Sequence, residues 1–205
     1  MDDNWPPRVD TTVHPTVVPM FPLRGVFLFP GQVLPLHVFE PRYRVMVEDM
    51  LDGPGRLVMG TILEDQPDDE STVPSVLTVA GLGEIARHER LPDGRFSILV
   101  IGLARVVVEE AETDGPYRMV SCSPVLESPP DDCEDDELQG RLLRAIESRT
   151  GVAIDEERQV STGQLADILA QTLTAPQGLM EEIFAECEVS LRVEKVLAAH
   201  EAFAS

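Results

Sequence analysis

Four histidines, three cysteines, one lysine and a pair of serines are the residues through which this 205-residue chain could do chemistry, and spacing is their first test. A serine or cysteine nucleophile needs a base within hydrogen-bond reach. Ser121 and Ser123 flank Cys122 without the strand-to-helix glycine context of a nucleophile elbow. His14, His37, His88 and His200 are widely separated, and none has a second ligand at the spacing of a metal motif. Lys195 is the sole lysine, and no GxxxxGK[ST] phosphate loop occurs. The run GLGE at 81–84 lacks the third glycine of a dinucleotide loop. These residues assign no catalytic, cofactor or metal site, so the expectation is a protein that is not an enzyme and takes no cofactor. His37, beside the Glu40 and Arg42 turn, reads as a satisfied structural histidine in a buried strand.

The charge balance narrows the partners. Sixteen basic residues face 37 acidic ones, a net charge of −21. Phosphate backbones and anionic membranes are repelled by such a surface, so neither nucleic acid nor membrane is expected as a partner. Cys122, Cys133 and Cys187 form no CxxC pair and no disulfide framework, which fits a reducing cytoplasm. The first dozen residues are acidic and broken by proline where a signal peptide is basic and then apolar; residues 1–12 are expected to be a disordered leader.

The elements that would position a site separate into two halves. Residues 13–126 read as strands. Pro30-Gly31 fits the centre of a type II turn between the apolar runs 26–29 and 33–39, both expected to be buried strands. The period then changes, because Tyr43, Met46, Val47 and Met50 fall on one helical stripe behind Pro41. Asp93-Gly94 between apolar runs predicts a hairpin, and Gly102 inside a strand predicts a bulge or bend. The Pro pair and acid run of 127–137 read as a linker. Residues 138–205 then carry four helical stripes, with capping-box spacing at Ser161/Gln164 and Thr174/Gln177. The fold class is α+β: a β-rich half with one inserted short helix, followed by a helical bundle.

Four motifs in order, Phe21-Pro22-Leu23, Phe29-Pro30-Gly31, Leu34-Pro35-Leu36-His37 and Phe39-Glu40-Pro41-Arg42-Tyr43, resemble the opening signature of the Lon protease amino-terminal domain, the Lon substrate-binding domain. The likeness continues through Gly81 to Ile85, Asp93-Gly94-Arg95, Gly102 to Arg105 and Pro116-Tyr117, and reaches the helical half at GQLADILAQTL. The resemblance implies a PUA-like β pseudo-barrel for residues 13–126. It also implies a stand-alone member of the family, since neither the phosphate loop nor the Ser-Lys peptidase context of the full protease is present.

The implied function is a non-enzymatic module that binds unfolded or extended polypeptide, as an adaptor or regulator in protein quality control, with a protease or another quality-control protein as a further partner. Phe21, Phe27, Phe29, Phe39 and Tyr43 crowd one 23-residue window of an aromatic-poor chain. They are either the core or the lining of a peptide-binding surface, and the second reading makes them the candidate peptide-binding residues. Self-association as a homo-oligomer through apolar patches is a further expectation. Two alternatives belong to other classes. One is a cryptic hydrolase whose site is assembled by folding. The other is an RNA-binding PUA-type module, which would need Arg42, Arg44, Arg87, Arg90, Arg95 and Arg105 to converge on one positive face.

Overall fold

The computed structural model describes residues 16–65, 73–154 and 160–203. The expected leader, 1–12, lies outside them. The chain divides into two compact units, Met1–Val125 and Leu126–Ser205.

The first unit is a mixed sheet with one helix. Its strands are β1 (Thr16–Arg24), β2 (Val33–Val38), β3 (Arg56–Ile62), β4 (Val79–Arg90), β5 (Phe96–Ala111) and β6 (Arg118–Pro124), with α1 (Pro41–Met50) between β2 and β3. The sheet order is β2-β5-β4-β3-β1-β6, and β6 also pairs with the far end of β5. The long β5 therefore serves two neighbourhoods: residues 96–101 hold β2, and residues 106–111 hold β6. The result is a curled sheet, a pseudo-barrel and not a closed barrel. β1 and β3 run parallel, joined by the crossover through β2 and α1; the other ladders are antiparallel.

Local chemistry explains much of this path. Pro41 sits in the first turn of α1, where a missing N–H costs nothing, and the stripe Tyr43, Met46, Val47 and Met50 is buried against Phe21, Leu57, Phe96 and Ile98. Alternate residues of the same strands, among them Met20, Val58, Leu82 and Val106, form a second cluster. Leu91 to Arg95 closes the β4–β5 hairpin, with Gly94 at φ +80° and its N–H donating to the Leu91 carbonyl at 2.9 Å. The ladder shifts register between Leu82 and Gly83, opposite Gly102, as the interrupted strand predicts.

Two expected strands differ. Residues 27–29 are buried and Val26 partly so, but the segment forms no ladder. Their backbone crosses the sheet where Gly81, Gly83 and Gly102 leave room: a Cβ on Gly81 would lie 2.3 Å from the Leu28 carbonyl oxygen, and one on Gly102 2.1 Å from that of Phe29. Their polar groups find side chains instead, with the Thr61 hydroxyl donating to the Val26 carbonyl at 2.6 Å and the Phe29 N–H donating to Gln32 Oε1 at 2.9 Å. The Pro30-Gly31 turn follows as expected, with Gly31 at φ +78° and the Gln32 N–H donating to the Phe29 carbonyl. β2, expected to be buried on both faces, is half exposed and alternates strictly, because it ends the sheet.

The second unit holds α2 (Asp132–Thr150), α3 (Thr162–Gln171), α4 (Gln177–Ala185) and α5 (Val189–Ala202). The acidic run read as a linker is largely the first turns of α2: Asp132, Glu134 and Asp135 sit where the helix dipole favours negative charge. Ser161 and Gln164 form the expected capping box on α3. Thr174 does not cap α4, whose N-cap is Pro176. Arg192 on α5 is fully buried, its guanidinium donating to both Glu127 oxygens at 2.7 and 3.1 Å and to the Glu186 carbonyl at 3.0 Å, with Asp167 3.4 Å from its Nε. Burial opposes its charge, yet Glu127 and Asp167 outweigh that and hold it firmly protonated.

Candidate functional site: an edge strand with an exposed aromatic

The five candidate aromatics separate cleanly. Phe21 and Tyr43 pack with ring centroids 4.3 Å apart and planes tilted by 35° inside the α1 cluster. Phe27 and Phe29 are also buried, and the Arg105 guanidinium lies 5.5 Å from the Phe29 ring. As peptide-lining residues these four are displaced by their packing: rings this deep have no face to offer a second chain. Phe39 alone is at the surface, 61% exposed.

Phe39 extends an outward row. The alternation of β2 turns Val33, Pro35 and His37 to solvent, and Phe39 follows in step just past the strand. Opposite them on β5 stand Ile101, Leu99 and Ser97. His37 is thus exposed rather than a buried structural histidine, with its ring 6.5 Å from that of Phe39. The apolar face fades at β4, where Arg87 and Glu89 stand opposite Leu99 and Ser97.

The backbone of β2 adds a second feature. Its only ladder among the described strands is with β5. The Gly102 N–H donates to the Gln32 carbonyl at 2.9 Å, so Gln32 and, by alternation, Leu34, Leu36 and Val38 turn their main-chain groups toward β5. Val33, Pro35 and His37 turn theirs to the open side. Pro35 removes one donor there, which blunts indiscriminate edge pairing and still leaves the N–H groups of Val33 and His37.

Other chemistry is weak by comparison. The Cys122 thiol is fully buried on β6, and burial pushes its pKa up, away from the thiolate that a nucleophile requires. No group of three or more His, Cys, Asp or Glu among the described residues is placed to hold a metal ion. Of the six arginines named above, Arg42, Arg90 and Arg95 are paired with Glu40, Glu48 and Asp93, and Arg105 is buried. No helix among the described residues is long and apolar enough to cross a membrane.

An α+β pseudo-barrel whose sheet ends in the edge strand β2, followed in sequence by a helical unit, is the class of fold that this chain adopts. The family model for the ATP-dependent protease La (LON) substrate-binding domain matches residues 17–199, and the chain belongs to that family. It is 32% identical over 193 residues to Lon protease 2 of Sorangium cellulosum, covering 88% of this chain and 24% of that protein. It is also 28% identical over 187 residues to the Lon protease of Desulforamulus reducens, covering 87% and 23%. The chain thus spans about a quarter of the length of the curated relatives it matches. The fold matches the N-terminal domain of Mycobacterium avium complex Lon protease at a TM-score of 0.70, with 18% identity over 91% of this chain and 98% of that one. It matches a Lon N-terminal domain protein from Xanthomonas campestris at 0.65, with 22% identity over 89% and 98%.

Proposed function

We propose that this chain is a non-enzymatic polypeptide-recognition module whose binding surface is the outward row of β2 together with its open edge. The observation that carries this reading is Phe39, a large ring left in water beside main-chain groups that have no strand partner among the described residues. An extended segment laid along β2 would hydrogen-bond to Val33 and His37 and place an apolar side chain against Phe39. Specificity would be loose, as suits unfolded chains, because main-chain hydrogen bonds read no sequence. The paired and buried arginines favour a polypeptide over RNA, and the raised Cys122 thiol counts against a cryptic hydrolase. The proposal extends to an adaptor or regulatory role beside a protease or another quality-control protein in the cytoplasm, a role that the match to a substrate-binding family supports.

Amide hydrogen exchange with and without a reduced, carboxymethylated, permanently unfolded polypeptide tests the placement. Slowed exchange at Val33 and His37 is the expected result. Unchanged exchange there at saturating polypeptide would remove β2 from the account.

A further inference from the structure

β1 changes partners midway, and the change opens a cleft. From Met20 to Arg24 the strand lies between β3 and β6 or beside β3, but from Thr16 to Pro19 its only ladder among the described residues is with β6. Proline has no N–H, so Pro19 and Met119 cannot be a pair that exchanges two hydrogen bonds. The exchanging pairs are Thr16–Cys122, Val18–Val120 and Met20–Arg118. Val17 therefore points its N–H and C=O away from β6, into a cleft of about 470 Å³ bounded by β1, the end of α1, the turn Gly53 to Arg56, and Tyr117. The Val17 side chain is 54% exposed. Four residues of strand span roughly 13 Å, enough for an equally short extended segment.

Two charged side chains line this cleft, Asp49 and Arg56. Asp49 lies in the last turn of α1, where helix carbonyls already concentrate negative potential, and no basic residue in that turn offsets it. The Tyr117 hydroxyl donates to Asp49 Oδ2 at 2.7 Å across 68 residues of sequence, fixing the carboxylate at the rim. The other lining charge is already spent, since Arg56 pairs with Glu84 at 3.2 Å. The neighbouring Glu48 pairs with Arg90. Among the described residues Asp49 has no cation.

We infer that this cleft is a second peptide site, which takes a short extended segment paired to Val17 and carrying a lysine or arginine that reaches Asp49. The inference shares with the preceding section only the premise that the ligand is a polypeptide. Its place and its demand for a basic residue are separate. The chain's net charge of −21 favours the approach of such a segment and disfavours an acidic one.

The test uses the full chain and two labelled, end-blocked peptides, Thr-Val-Lys-Val-Thr and Thr-Val-Glu-Val-Thr, by fluorescence anisotropy. The lysine peptide should bind saturably, and about tenfold or more tightly than the glutamate peptide. Asp49→Asn should erase most of that difference, with far-UV circular dichroism showing the fold retained. Amide exchange should slow at Val17, which separates this site from β2, where Val33 and His37 report. Four results would overturn the inference: equal affinity for the two peptides, binding of neither, discrimination that survives Asp49→Asn, or protection of Val17 only through concentration-dependent dimerisation of the chain.

Discussion

Replacing Gly102 by alanine tests how the sheet holds the segment that leads into β2. The added Cβ would stand 2.1 Å from the Phe29 carbonyl oxygen and 2.9 Å from its carbon, and real Cβ atoms essentially never approach closer than 3.0 Å. The obstacle is backbone and cannot rotate aside, so strand and segment must part by roughly 1 Å, an overpacking that costs about 1–3 kcal/mol. The same movement stretches two main-chain bonds, Gly31 N–H to the Gly102 carbonyl at 2.8 Å and Gly102 N–H to the Gln32 carbonyl at 2.9 Å. Losing both adds about 2 kcal/mol, for a total of roughly 3–5 kcal/mol. Gly31→Ala is the matched control. It has nothing within 4 Å of its Cβ and carries only the penalty of a φ of +78°, about 1–2 kcal/mol. Urea unfolding followed by near-UV circular dichroism reads the first unit, because Tyr43 and Tyr117, the two tyrosines of the chain, both lie in it. The Gly102→Ala midpoint should fall by about 1 M or more, well beyond that of Gly31→Ala. A Gly102→Ala protein as stable as Gly31→Ala would refute the close crossing of residues 26–29 over the sheet.

Those tyrosines also give a pH prediction. Burial and the Asp49 hydrogen bond push Tyr117 up to about 12, and burial raises Tyr43 as well. Absorbance at the tyrosinate band should thus stay low at pH 10 in the native protein, and half-ionisation there would contradict the structure. The folded state holds these protons more tightly than the unfolded chain. Their contribution to stability is therefore complete below about pH 10 and lost as the pH rises toward 12. In the second unit, Arg192→Met leaves Asp167 buried without its cation and should cost about 3–5 kcal/mol in a thermal melt followed at the helix band. A loss under about 1 kcal/mol would show that the Arg192 cluster does not hold α3 and α5 together.

The parts of this fold that depend on short-range rules could be read from the sequence. Pro30-Gly31, Asp93-Gly94 and the Tyr43, Met46, Val47, Met50 stripe each carry their geometry within a few residues, and the family motif joins them in order. The parts set by distant partners could not. Residues 26–29 have the composition of a strand, and only the glycines at 81, 83 and 102 turn them into a buried crossing segment. β2 has the composition of a buried strand too, and its place at the end of the sheet order is what exposes Val33, His37 and Phe39. Burial sorts the five candidate aromatics for the same reason, since nothing local distinguishes Phe39 from Phe29. The acidic run at 131–137 looks like linker, but those residues also suit the N-terminal turns of a helix. No sequence signal joins Tyr117 to Asp49; a proline at position 19 of an expected strand is the nearest hint that β1 is open on one side.

If β2 and Phe39 bind polypeptide, Phe39→Asp must weaken the affinity of the chain for a permanently unfolded polypeptide. With 61% of the residue exposed, covering the ring would remove on the order of 100 Å² from water, worth about 2 kcal/mol or more. The expected result is a dissociation constant raised about 30-fold or more, with the circular dichroism spectrum unchanged. An affinity equal to that of the unsubstituted chain would contradict it.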